Sequence, residues 1–104
     1  MKVGLVSGCF DLLHLGHVRS IQYAAEYLRK SGSAQLWVAT LTDEHIREKK
    51  GAARPVMSLP ERVALLGALH AVDRVVLLLE ANCLALIDQV RPDFFFKGPR
   101  DNDQ

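Results

Sequence analysis

Ten residues do most to decide what this chain can become: Gly8-Cys9-Phe10-Asp11-Leu12-Leu13-His14-Leu15-Gly16-His17. They follow a short apolar run, residues 3–6, and open onto an amphipathic segment. Two imidazoles and two glycines therefore gather where a strand hands over to a helix. In α/β proteins that junction holds phosphates, because helix N-terminal amides point outward and carry partial positive charge.

The rest of the chain alternates strand and helix. Residues 2–7 read as a first strand, mostly apolar as a central parallel strand is. Residues 16–30 read as a helix with Val18, Ile21, Ala25 and Leu28 on its buried stripe and Arg19, Gln22, Glu26 and Arg29 facing water. Ser31-Gly32 ends it, with Gly32 as a left-handed cap. Residues 36–41 form the second strand, and Thr42-Asp43 starts a short helix to about Lys49. Residues 51–56 are a loop containing Arg54-Pro55.

Ser58-Leu59-Pro60-Glu61 is a helix start, with Ser58 as cap, Pro60 in the first turn and Glu61 completing a capping box. That helix extends to about His70. Residues 74–79 are the third strand. Asn82 caps a helix ending near Arg91, which precedes Pro92 and so leaves helical geometry. Residues 93–97 are the fourth strand, with Phe94-Phe95-Phe96 buried, and Trp37 is assigned to the core or a dimer interface. The pattern gives one domain with a doubly wound, Rossmann-like parallel sheet and right-handed crossovers. Ligands of such sheets bind beyond the carboxyl ends of the strands. The polar segments 8–17, 42–50 and 97–101 all follow strands and are expected to converge there.

Size and charge narrow the function. A chain of 104 residues supports one core. Its net charge of +1 argues against a dedicated nucleic-acid binder. No apolar stretch has the length of a membrane span. Val6-Ser7-Gly8-Cys9 imitates a lipoprotein cleavage site, but the preceding apolar run is too short for a signal peptide. The expectation is a cytoplasmic protein with Cys9 and Cys83 reduced.

Two familiar phosphate motifs are missing: the Gly-x-Gly-x-x-Gly turn and the P-loop ending in Gly-Lys-Ser/Thr. In their place stands His14-Leu15-Gly16-His17. Both imidazoles can face a phosphate on the helix terminus, where Gly16 admits it close to the backbone. Imidazole N–H groups stabilise charge that develops on a phosphoryl group in transfer. Such chemistry needs mainly positioning and charge neutralisation, and Lys49, Arg62 and Lys97 are the candidate cations on the converging segments. Arg62 is equally well read as a brace for its helix. A zinc site from the His-x-x-His pair with Cys9 or Asp11 is the competing metal reading, and incidental histidines the bland one, adopted for His45 and His70.

The segment 8–17 resembles the Gly-x-Phe-Asp-x-x-His-x-Gly-His signature of the cytidylyltransferase-like nucleotidyltransferases. Thr42-Asp43-Glu44, Arg54-Pro55-Val56, Glu61-Arg62, Ala71-Val72-Asp73 and Arg91-Pro92-Asp93 through Lys97-Gly98 fall in that family's order. The nearest branches are the glycerol-3-phosphate cytidylyltransferases and the adenylyltransferase domains that act on heptose phosphates. The resemblance implies transfer of a nucleoside monophosphate from CTP or ATP to a phosphorylated sugar or polyol. Pyrophosphate is released, and Mg2+ is carried on the triphosphate. It implies His14 and His17 at the transition state, Gly8 and the Cys9 and Phe10 amides at the nucleotide phosphates, and Lys49 on phosphate. It further implies Arg62 on nucleotide or acceptor, Asp11 at the substrate, Lys97-Gly98 near base and ribose, and a homodimer.

Two departures from that family matter. Family members usually continue past the position of Gln104 into another strand and a serine/threonine-rich helix start. The expectation is therefore a truncated or reduced domain, and the alternative function is a nucleotide-binding or assembly module with little turnover. Pro99-Arg100-Asp101 replaces the Gly-Asp-Tyr usual in the heptose branch, and residues 82–90 lack the lysine usual in the glycerol-phosphate branch.

Overall fold

Four short strands with branched and aromatic residues line up in parallel in the computed structural model, which describes residues 2–32, 34–79 and 84–97. In chain order the elements are β1 (Lys2–Gly8), α1 (Leu15–Lys30), β2 (Ala34–Leu41), α2 (Asp43–Lys50), α3 (Leu59–Gly67), β3 (Arg74–Leu78), α4 (Leu84–Val90) and β4 (Phe94–Lys97). The sheet order is β3-β2-β1-β4. The chain winds outward from β1 to β3 and then crosses back to place β4 on the other side of β1. The switch point of this Rossmann-like sheet lies between β1 and β4, where ligands of open α/β sheets bind. Ser7 pairs with Lys97 and Gly8 with Thr40, so the carboxyl ends of β4, β1 and β2 are neighbours.

Alternation along the strands sorts the core into two layers. Val6, Leu36 and Val38 pack with Ile21, Ala24 and Leu28 of α1 and Leu66 of α3. Leu5, Ala39, Leu41 and Leu78 face the other way, with Ile46 of α2 and the half-buried Leu86 and Ile87 of α4. Helices thus cover both faces. α1 lies close on β1 because Gly4 has no side chain: a Cβ there would sit 2.6 Å from Leu28 Cδ1.

The aspartates before β3 and β4 perform one operation twice. Asp73 donates its N–H to Leu36 O and accepts from Leu36 N at 2.8 Å. Asp93 donates to Val3 O and accepts from Val3 N at 2.8 Å. Each closes the first rung of a parallel ladder with both backbone and side chain.

The capping devices read from sequence are present. Ser58 and Glu61 form a capping box with Pro60 in the first turn, Thr42 caps α2, and Gly32 is left-handed at φ 107°. Arg91 leaves helical geometry with φ 53°. Asn82 and Cys83 lie outside the described residues.

Three details differ from expectation. The fully buried stripe of α1 is His17, Ile21, Ala24 and Leu28, while Val18 and Ala25 are only half-buried. A reading based on apolar residues misses the rotation that burying a histidine imposes. α3 stops at Gly67, because glycine weakens a helix end, and Leu69, Ala71 and Val72 then pack on the core as a turn. The phenylalanines are not all buried: β4 is an edge strand, so Phe94 and Phe96 are half-buried and Phe95 is 41% exposed. Trp37 is also half-buried, under the Arg74 guanidinium 4.8 Å from its ring.

Gly4→Val should lower stability by about 1–3 kcal/mol, because Leu28 is buried and cannot yield its space. Urea unfolding measures this; a gain in stability would show that this contact does not set the spacing of α1 from the sheet.

Candidate active site

β1 ends at Gly8 and the chain turns at once. Phe10 and Leu12 both have φ 55°, a left-handed conformation that costs a residue with a side chain about 1 kcal/mol or more. The surroundings enforce it. The Phe10 ring is 1% exposed and lies against Gly8, where a Cβ would stand 3.1 Å from two ring atoms. Thr40, buried on β2, donates its hydroxyl to Cys9 O at 2.8 Å. Cys9 itself is a buried thiol packed with the α2 and α4 layer.

Asp11 completes the turn. Its carboxylate accepts from Arg54 Nε at 2.6 Å, Val56 N at 3.0 Å and Met57 N at 2.8 Å. Burial by itself raises this pKa. The amides of Met57 and Val56 and the Arg54 guanidinium outweigh it and hold the carboxyl below its ordinary 3.8. The substrate role expected of Asp11 thus falls on a carboxylate already occupied by the 54–57 loop. Arg54 entered the sequence reading only as part of the family pattern; its pairing with Asp11 was missed, since no local pattern signals a contact across 43 residues.

His14 and His17 form a reciprocal cap on α1. His14 is the N-cap, and its Nδ1 accepts from Gly16 N at 3.0 Å. His17 Nδ1 accepts from His14 N at 3.1 Å. A ring nitrogen that accepts an amide hydrogen carries no proton, so each neutral ring bears its proton on Nε2. These tautomers are assigned from the hydrogen bonding. The two ring centroids are 3.9 Å apart, and Phe10 supports His17 at 5.4 Å. His14 is exposed, whereas His17 is 2% exposed. Gly16, expected to admit a phosphate close to the backbone, has its own amide taken by the His14 ring.

The remaining candidates divide. Arg62 is 1% exposed. It donates to Asp43 Oδ1 at 2.8 Å, to Met57 O at 2.9 Å and to Leu41 O. Of the two readings given to Arg62, its burial matches the brace. A ligand could reach its guanidinium only if these contacts opened. Lys49 is exposed near the end of α2, about 9 Å along the axis from Asp43. Lys50 beside it is half-buried. Lys97 lies next to Ser7 through its backbone; its side chain, and Gly98, lie outside the described residues. Among the described residues no group of three or more His, Cys, Asp or Glu stands together as a metal site, and no helix is long and apolar enough to cross a membrane.

Fold and site together define a doubly wound α/β domain with a histidine pair at its switch point. Comparison with known proteins places the class. The family model for cytidylyltransferase-like proteins matches residues 5–101. The chain is 40% identical over 97 residues to the bifunctional protein HldE of Acidiphilium cryptum, and 44% identical over 99 residues to that of Aeromonas hydrophila. Each alignment covers 93% of this chain and 19% of the relative, so the chain spans about a fifth of those proteins. A crystal structure of the lipopolysaccharide core biosynthesis protein from Thermoplasma volcanium is similar at TM-score 0.74 and 29% identity, over 91% of this chain and 72% of that one. The chain belongs to the cytidylyltransferase-like family.

Asp11→Asn should destabilise the protein by about 2–4 kcal/mol, since it removes the charge that three donors surround. The folded pKa lies below the unfolded one, so the carboxylate's contribution is complete above 3.8 and is lost as pH falls through the lower folded value. Urea midpoints should therefore differ by a constant amount above that pH, and the gap should close below it. A gap that persists unchanged into strong acid would contradict the assignment.

Proposed function

We propose that this chain transfers a nucleoside monophosphate from CTP or ATP to a phosphorylated sugar or polyol, releasing pyrophosphate. The observation that carries the reading is the reciprocal histidine cap at the switch point. The family membership supports it, and the similarity to a lipopolysaccharide core biosynthesis protein favours a sugar phosphate as acceptor.

In this reaction an oxygen of the acceptor phosphate attacks the α-phosphorus in line. A new P–O bond forms, the bond from that phosphorus to the bridging oxygen breaks, and pyrophosphate leaves with its electron pair. The acceptor supplies the nucleophile, so the protein's task is to position two polyanions and stabilise charge. His14 and His17, protonated on Nε2, donate to the phosphoryl oxygens as charge develops. The N-terminus of α1 adds its dipole. The amides of Cys9 and Phe10 line the nucleotide phosphates, and Lys49 and Lys97 add positive charge. Mg2+ enters as part of the triphosphate substrate, held by phosphate oxygens and water. Two of the carboxylates on these segments, Asp11 and Asp43, are engaged by Arg54 and Arg62. The open edges of β3 and β4 favour self-association into a dimer, and a cytoplasmic location suits these substrates.

Pyrophosphate release, measured with CTP and ATP against a panel of sugar and polyol phosphates, tests the proposal. At least one pair should turn over, and His17→Ala should cut the rate by about 100-fold or more while circular dichroism shows a retained fold. Full activity in that variant would refute the placement of phosphate at the cap. Nucleotide binding with no release from any pair would select the alternative, a nucleotide-binding or assembly module.

A further inference from the structure

Nothing in the backbone of Gly16 calls for glycine. It is the second residue of α1, and its φ lies outside the left-handed region in which Gly32 and Gly51 are found. Glycine weakens a helix relative to alanine, so its presence needs another cause. A Cβ built at Gly16 would meet one neighbour, the His14 imidazole, at 2.8 Å from Cε1 and 3.0 Å from Nδ1. Apart from adjacent residues and the backbone of the helix itself, no other atom among the described residues lies within 4 Å of that point.

The His14 ring thus occupies the space that a side chain at Gly16 would fill. From there its Nδ1 accepts the Gly16 amide hydrogen and its face lies 3.9 Å, centroid to centroid, from His17. One missing methyl group admits the ring, and the amide beneath it sets the tautomer. We propose that Gly16 is a positioning residue for His14, seating the imidazole over the first turn of α1 with Nε2 as its N–H donor. The role differs from admitting a phosphate to the backbone, because the vacant volume belongs to the ring.

A double-mutant cycle tests this without reference to turnover. Asparagine is a good N-cap and lacks the ring, so His14→Asn keeps α1 capped and empties the contested space. Gly16→Ala should then raise the melting temperature by about 2–5 °C in the His14→Asn background, as a helical alanine does, and lower it in the wild type. An equal shift in both backgrounds, or a larger loss in the His14→Asn background, overturns the proposal. Ring 15N spectra give a second readout. His14 Nδ1 should read as an acceptor in the wild type and lose that signature in Gly16→Ala; an unchanged ring spectrum counts against it.

The kinetic consequence rests on the proposed nucleotidyl transfer. Gly16→Ala should lower kcat toward that of His14→Asn and leave the KM for nucleotide within about 3-fold. A raised KM with kcat retained would assign Gly16 to phosphate approach instead. Should the chain show no transfer at all, the proposed function fails, and the melting and spectroscopic results still decide the role of Gly16.

Discussion

A carboxylate with no exposed surface ties the candidate site together. Burial alone would raise the pKa of Asp11, but the amides of Met57 and Val56 and the Arg54 guanidinium outweigh it and hold the carboxyl below its ordinary value. Its partners make it a structural link as well. Asp11 takes the N–H of Met57, and Arg62, itself buried, donates to the carbonyl of the same residue. Arg62 also reaches Leu41 O at the end of β2 and Asp43 at the start of α2. The backbone of Met57 is therefore held from both sides, and the loop after β1 is connected through it to the end of β2. Two buried charges achieve this because each has enough partners to offset much of the desolvation, although Arg62 Nε lacks a hydrogen-bond partner among the described residues.

Under the proposed transfer, one interaction at the histidines serves stability and chemistry together. An N-cap is usually a serine, threonine or aspartate, whose oxygen satisfies an orphan amide. Here imidazole Nδ1 atoms do that work. A carboxylate cap would place negative charge where phosphate is expected, and a hydroxyl cap would reach less far. An imidazole uses one nitrogen for the helix and keeps an N–H on the other. Capping and tautomer selection are then the same hydrogen bond, so loss of the cap would also blur the chemistry.

Local signals were legible in the sequence, and long-range ones were not. Ser58-Leu59-Pro60-Glu61, Thr42 and Gly32 declared their roles because a cap depends on neighbours within four residues. The alternation of strand and helix gave the parallel, doubly wound sheet. The family motif located the loop after β1. The interior side of that loop stayed hidden: Asp11 looked like a substrate group because Arg54 and Met57 are distant in the chain. Arg62 looked equally like a ligand and a brace until burial separated the two. Periodicity misjudged α1 by one residue because a buried histidine does not count as apolar. It misjudged Phe95 because edge position depends on the sheet order, not on the strand's own composition.

Asp73 and Asp93 act on the sheet from its far end. In a parallel ladder, the first rung sets the alignment of all the others. Asp93 fixes that rung against Val3, and the register then runs from Gly4 with Phe94 to Ser7 with Lys97. A slip of one residue would turn Phe94 and Phe96 away from the α1 layer and bring Phe95 into it. It would also move the backbone of Lys97 from its place beside the end of β1. The aspartate stands at the opposite end of the strands from the histidines, yet it helps decide which residue of β4 arrives at the switch point. That is a physical reason for a chain to carry an aspartate immediately before each of its outer strands.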